Sequence, residues 1–268
     1  MIFERDSNCD SPYFTNVSKV TYITDTDLQT FTYLGYSYII FVFDRTEFFD
    51  HNGKQQPIPE VILLGPGDFF NTRGYKGAGS IAIELPAQTI HIATGKPASE
   101  LRNVIIDIKD LIPADIVDRM HSKLRVSTSF EEIKSILIDE IESELKQWNT
   151  QTKSSDVVKY IHEKKGLVSK QEIADLFCFS ERTLERIFMK EVGTSPYLFI
   201  SQIRFNNALQ DLQLMNMDFS QLMLNYNYYD RSHFEKDFEK FMGKRIIQYK
   251  NGIPSLFEAA LDRSYHKN

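Results

Sequence analysis

"SERTLERIFMKEVGTSP", Ser180 to Pro196, reads as a short helix with defined ends. Ser180 is placed to cap the first turn, Gly193 to close the last, and Pro196 cannot simply continue the same helix. Leu184, Ile187 and Phe188 fall on one face at helical spacing, whereas Arg182, Glu185, Arg186 and Met189 or Lys190 fall elsewhere. A helix of about three turns with arginine and glutamate on its open side either meets water or meets something with edges to read.

The pattern occurs twice. "SKQEIADLFCFSERTLERIFMKEVG" (Ser169–Gly193) is echoed by "DFSQLMLNYNYYDRSHFEKDFEKFMG" (Asp218–Gly243). Leu184, Phe188 and Gly193 recur 50 residues later as Phe234, Phe238 and Gly243. Ile173 and Ala174 recur 49 residues later as Leu222 and Met223, so the second copy has one extra residue in its turn. Each copy outlines a helix-turn-helix, whose second helix can enter a DNA major groove. Between them, "SPYLFISQIRFNNALQDLQLMNM" (Ser195–Met217) spaces Leu198, Phe199, Ile203, Leu209 and Leu212 as a buried helix. A stiff spacer matters, because two recognition helices reach successive grooves only about 34 Å apart.

On these motifs Ser155–Lys250 resembles the C-terminal domain of the AraC/XylS family of bacterial transcription regulators. The features that carry the resemblance are Ala174, Ser180, the Leu184/Phe188 pair, the Gly193-x-Ser195-Pro196 turn, and Ser232, His233, Phe234 and Phe238 of the second copy. Residues 1–125 more faintly resemble the sheet-rich sensor domain of some members. There are departures. Cys178 and Asn227 stand in the turns where the family usually has Gly, and Asn tolerates the left-handed conformation better than Cys. Met223 replaces a small alanine, and "GKRIIQYK" (Gly243–Lys250) lacks the usual Ser-Pro.

The resemblance implies double-stranded promoter DNA as the partner. It points to Arg182, Thr183, Glu185 and Arg186 as DNA-facing in the first recognition helix, and to Arg231, Ser232, Glu235 and Lys236 in the second. Side-chain chemistry agrees, since Arg bonds guanine O6 and N7 and Glu accepts from cytosine N4; Arg186 is the foremost candidate. Lys190, Lys240, Lys244 and Arg245 are candidates for phosphate contacts, which position without specifying. The competing interpretation is a solvated face held by i,i+4 ion pairs. His233 is expected to pack or cap, and Cys178 to act as a small buried hydrophobe.

The first half has a different period. "YSYIIFVF" (Tyr36–Phe43), "EVILLGPGDFF" (Glu60–Phe70) and "GSIAIEL" (Gly79–Leu85) read as strands, and Asn52-Gly53 marks a hairpin turn. The fold class is therefore α+β in two domains. A β-rich domain, barrel- or sandwich-like with a cupin relation as one option, carries attached helices and precedes an all-α domain with two helix-turn-helix motifs. The division is a sensor or regulatory domain over 1–128, an amphipathic helix and linker over 129–154, the DNA-binding domain over 155–250, and a tail over 251–268. The helix within Ser129–Trp148 lines up Ile133, Ile136, Leu137, Ile141, Leu145 and Trp148. That stripe packs on its own sheet or pairs with its copy in a homodimer. "NTQTKSS" (Asn149–Ser155) reads as the linker.

Composition bounds the function. The net charge is −6, and Ser169–Lys250 is neutral with 11 basic and 11 acidic residues. Neutral is not basic, which keeps open a protein-interaction regulator that retains the fold with weak or no DNA binding. No apolar run reaches about 18 residues and the start lacks a secretory pattern, so the expectation is a cytoplasmic protein with no membrane partner. Cys9 and Cys178 lie far apart, outside any metal spacing. No metal set, phosphate loop or nucleophile motif is present, so no metal, cofactor, catalytic residue or enzyme activity is expected. Tyr33, Tyr36, Tyr38, Phe41 and Phe43, with Phe69, Phe70 and Tyr75, either line an effector pocket or fill the core. The expectation is a sequence-specific transcription regulator, modulated by a small molecule or protein partner at the N-terminal domain.

Overall fold

The computed structural model describes residues 2–6, 13–14, 16–148, 151–214 and 219–246. Ten strands come first: β1 (Ile2–Asp6), β2 (Asn16–Thr21), β3 (Gln29–Phe31), β4 (Tyr36–Phe43), β5 (Thr46–Phe49), β6 (Gln55–Gln56), β7 (Val61–Leu64), β8 (Phe70–Gly74), β9 (Gly79–Pro86) and β10 (Ile105–Asp107). They form a six-stranded sheet, β1-β2-β9-β4-β7-β10, and a four-stranded sheet, β3-β8-β5-β6. The described pairings are antiparallel. Asn52 and Gly53 fall in the β5–β6 hairpin, where Gly53 takes φ 76°.

β4 sets the layering. Ser37, Ile39, Phe41 and Phe43 are buried and alternate with the partly buried Tyr36, Tyr38, Ile40 and Val42, the two-residue period of a strand with two unlike faces. Ile39, Phe41 and Phe43 join Val17, Leu63, Ile81 and Ile83 in a core closed by α1 (Thr89–Thr94), α2 (Ala114–Val126) and α3 (Phe130–Trp148). Phe41 and Phe43 therefore belong to this core and not to an effector pocket: odd positions of β4 face the helices. α3 gives Ile133, Leu137, Ile141 and Leu145 to the same core. The stripe that the sequence left between two roles is used within the chain.

Among the described residues, six further helices follow: α4 (Ser155–Glu163), α5 (Lys170–Leu176), α6 (Glu181–Glu191), α7 (Pro196–Leu214), α8 (Phe219–Asn225) and α9 (Arg231–Met242). Ile173, Leu184 and Phe188 pack with Phe199 and Ile203 of α7. Leu222, Phe234 and Phe238 pack with Phe205 and Leu209 of the same helix. α7 is thus the shared spine of both repeats, as expected of a buried spacer, and Pro196 opens it as a first-turn residue. Among the described residues, no helix is long and apolar enough to cross a membrane.

The expected linker is not loose at its described end. Ser154 is fully buried, and its N–H donates to the Glu191 carboxylate at 2.8 Å. Ser155 Oγ accepts from the Thr152 N–H and from Gln88 Nε2, each at 3.0 Å. The Ser155 hydroxyl, which suggested part of a free tether, instead bonds across the seam to Gln88. Cys9, Asn149, Thr150 and the 251–268 tail lie outside the described residues.

Candidate nucleic-acid interface

The two helix-turn-helix units share the two hydrogen bonds that close their turns. In the first, Phe177 N–H donates to Ile173 O at 3.0 Å and Phe179 N–H to Ala174 O at 2.8 Å. In the second, Tyr226 N–H donates to Leu222 O and Tyr228 N–H to Met223 O, both at 3.0 Å. Cys178 and Asn227 occupy the left-handed turn at φ 55° and 53°. Ser180 Oγ caps α6 by accepting from the Thr183 N–H at 3.1 Å, and Asp230 caps α9 by accepting from His233 at 2.8 Å. Gly193 and Gly243 end these helices at φ 83° and 69°. Leu184, Phe188, Phe234 and Phe238 are each fully buried. The extra residue of the second turn is Tyr229, which is 92% exposed. Length alone signalled an insertion; its outward direction came only from the structure.

Cys178 is exposed, which corrects the expectation of a buried hydrophobe. A residue at the tip of the turn has its side chain directed away from the helix pair whatever its polarity. His233 packs edge-on against Tyr228 at 5.0 Å, as expected.

The expected DNA-facing residues divide by partner. Arg182, Arg186 and Lys190 are exposed on α6 at intervals of four, and Lys236 and Lys240 are exposed on α9. Successive members of such a row stand about 6 Å apart along the axis. Among the described residues, Arg182, Arg186, Lys190 and Lys236 have no ion-pair partner. Thr183 is half-buried beside its cap, and Ser232, Lys244 and Arg245 are exposed. Glu185 accepts from Lys170 at 3.3 Å, and Lys170 also binds Glu181 at 2.7 Å. Those two carboxylates raise the Lys170 pKa. Arg231 pairs with Glu235 at 2.8 Å, one turn along. Exposed pairs of this kind are worth about 0–1 kcal/mol, so DNA phosphate can displace them. Lys240 lies 5.2 Å from the Phe241 ring centroid.

Behind this face the second unit is braced. Arg204 on α7 lies 3.6 Å from Asp237 on α9, and Tyr228 donates to Asp237 at 3.1 Å. Burial and the neighbouring Asp237 push the Tyr228 phenol well above its usual range, so it stays a neutral donor.

The sheet domain meets the helical domain along a continuous seam. His162 Nε2 donates to Gly35 O at 3.2 Å, leaving Nδ1 to accept from the Tyr36 hydroxyl at 3.3 Å. Asn206 Nδ2 donates to Tyr33 O at 3.3 Å. The β7–β8 loop, Gly65–Phe69, touches the ends of both recognition helices. A Cβ on Gly193 would meet Pro66 Cγ and stand 2.7 Å from Ala98 O, and one on Gly243 would meet the Phe69 ring.

The same loop borders a cavity of about 590 Å³ between the two sheets. Tyr38, Ile40 and Val42 of β4 line one side, with Phe31, Phe48 and Phe70 of the smaller sheet opposite. Of the aromatic candidates, Tyr33, Tyr38, Phe69 and Phe70 line it. Tyr36 instead packs against the His162 ring, tilted, at 4.5 Å, and Tyr75 lies under Arg45 at 3.9 Å. Arg5 and Glu84, 79 residues apart, form a buried ion pair in its wall at 3.3 Å; no local signal in the sequence pointed to it.

Residues 173–252 match the family described as helix-turn-helix domain. No curated protein matches the chain. An apo variant of ToxT from Vibrio cholerae shares the fold with a TM-score of 0.51 at 12% identity, over 88% of this chain and 97% of that one. ToxT from Vibrio cholerae bound to an unsaturated fatty acid gives 0.49 at 12% identity, over 94% and 96%. The AraC-like transcriptional activator CuxR gives 0.32 at 16%, over 74% and 77%. Residues 173–252 of this chain thus form a helix-turn-helix domain, behind a sheet-rich N-terminal domain.

Proposed function

We propose that this protein is a DNA-binding transcription regulator that lays α6 and α9 in adjacent major grooves of one promoter segment and answers to a small molecule held between its sheets. The observation that carries the reading is the pair of exposed cationic rows, Arg182–Arg186–Lys190 and Lys236–Lys240, on two helices that end against one loop. α7, at 19 residues, spans about 28 Å, of the order of the groove repeat of about 34 Å. Arg186 is assigned to a base edge, and Lys190, Lys240 and Lys244 to phosphates. The Gly65–Phe69 loop borders both the cavity and the helix ends, so a ligand that moves it alters how the recognition helices sit.

The test is selection from random duplexes with the full chain, followed by salt titration of the recovered site. Arg186→Ala is expected to weaken the selected site by about 1–3 kcal/mol and to relax one base position, whereas Lys190→Ala reduces the salt slope by about 1 on every sequence. Equal loss from Arg186→Ala on all sequences would reassign it to a phosphate. No selected site at low salt, with or without ligand, would favour the protein-interaction alternative, which the neutral charge of Ser169–Lys250 supports.

A further inference from the structure

The walls of the cavity carry a charge pattern that defines its ligand. Among the described lining residues, the ionisable groups other than tyrosine are Arg5, Asp50, His51, Asp68 and Glu84. The Arg5 guanidinium is committed to Glu84 in an ion pair whose side chains are 4% and 5% exposed. Glu84 also accepts from Asn16, and from the Tyr38 hydroxyl at 3.4 Å. Asp68 is bound by Arg102 and Asn103. The one guanidinium in the wall is thus already paired with a buried carboxylate, and Asp68 is paired with Arg102. An anionic ligand would bring a further negative charge into a largely apolar space, and an uncompensated buried charge is strongly disfavoured.

Other lining groups lack partners. Thr32 Oγ1, Tyr33 OH and Thr46 Oγ1 are buried without a hydrogen-bond partner, and each residue borders the cavity. Thr32 and Tyr33 are 4% and 5% exposed. Buried hydroxyls normally find partners, and each of these can donate to, or accept from, a neutral polar group. The volume lies in the range of about 300–1,000 Å³ typical of pockets for drug-sized molecules.

We propose that the cavity binds an uncharged, mostly apolar molecule with a hydroxyl, ether or carbonyl group, and discriminates against the carboxylate of the same skeleton. This rests on the reading of the cavity as the effector site. The test uses full-length protein and the neutral dye N-phenyl-1-naphthylamine, displaced by dodecan-1-ol or by dodecanoate at pH 8. The alcohol is expected to displace the dye at a concentration at least about tenfold lower, a factor equal to about 1.4 kcal/mol. Glu84→Gln removes the carboxylate charge paired with Arg5 and should shift the preference toward dodecanoate. Dye uptake with equal or stronger displacement by dodecanoate in the unmodified protein would overturn the ligand class while leaving the cavity as a binding site. Failure to take up the dye, or uptake with displacement by neither competitor, would overturn both. If Glu84→Gln fails to fold by circular dichroism, the comparison of methyl dodecanoate with dodecanoate on the unmodified chain decides the matter. No step involves DNA, so the regulator reading stands or falls separately.

Discussion

Replacing Gly193 by alanine tests whether the sheet domain closes onto the end of the first recognition helix. Two penalties combine there. Gly193 has φ 83°, and an L-residue in that region costs about 1–2 kcal/mol. A Cβ would also meet Pro66 and stand 2.7 Å from the Ala98 carbonyl, and overpacking of this sort costs about 1–3 kcal/mol. Gly95 isolates the first penalty, because it ends α1 at φ 69° with no atom within 4 Å of its virtual Cβ. Gly193→Ala should therefore lose about 2–5 kcal/mol and Gly95→Ala about 1–2 kcal/mol. Asparagine sharpens the comparison, since it is at home in the left-handed region yet still carries a Cβ. Gly95→Asn should be nearly neutral and Gly193→Asn should retain the contact penalty. Equilibrium urea unfolding of the full chain, followed by circular dichroism and Trp148 fluorescence, gives each value. Losses at Gly193 within about 0.5 kcal/mol of those at Gly95, the scatter of ordinary surface changes, would refute the closed seam.

Cys178→Gly removes a left-handed non-glycine residue at an exposed position, so it should raise stability by about 1 kcal/mol; an unchanged or lower urea midpoint would show that the turn is unstrained. Tyr229→Ala should leave stability unchanged and weaken DNA binding by about 1 kcal/mol, read in the same binding assay as Arg186→Ala, because the exposed hydroxyl stands beside the start of α9. Asp68 provides an acid limb. Burial raises its pKa, but the bonds from Asn103 and Arg102 outweigh burial and hold it below the ordinary carboxylate range. Its contribution is thus present above the unfolded value of about 3.9 and is lost as pH falls through the lower folded value. The urea midpoint of Asp68→Asn should fall less steeply below about pH 4 than that of the unmodified chain.

The helical domain was legible because its signals are local and repeated. Ser180, Gly193 and the Leu184/Phe188 pair each state a helix end or face within one or two turns, and the 50-residue echo states them again. The sheet domain was legible as strands but not as walls. Which strand faces which depends on pairings such as β2 with β9, between segments far apart in the chain. Parity within β4 was nevertheless readable. Tyr36 and Tyr38 are even and Phe41 and Phe43 odd, so a two-residue period already separates them. Grouping them by aromatic character discarded that information. The Arg5–Glu84 pair and the packed linker had no such signal, because each joins residues distant in sequence.

Gly193 and Gly243 show how one residue type can carry both a local and a tertiary requirement. Each ends a recognition helix at positive φ, and that need alone explains a glycine in either repeat. The local need would also admit asparagine, as Asn227 does in the second turn. What asparagine cannot satisfy is the absence of a Cβ where Pro66 and Phe69 approach. The two glycines are therefore also the points at which a single short loop reaches both helix-turn-helix units. Asp68 N–H donates to Asn103 Oδ1 at 2.8 Å and Asn103 N–H to Pro66 O at 3.0 Å, so the loop is braced through Asn103. A braced loop transmits a displacement instead of absorbing it. That mechanical property is the reason the proposed effector site lies in the space this loop borders.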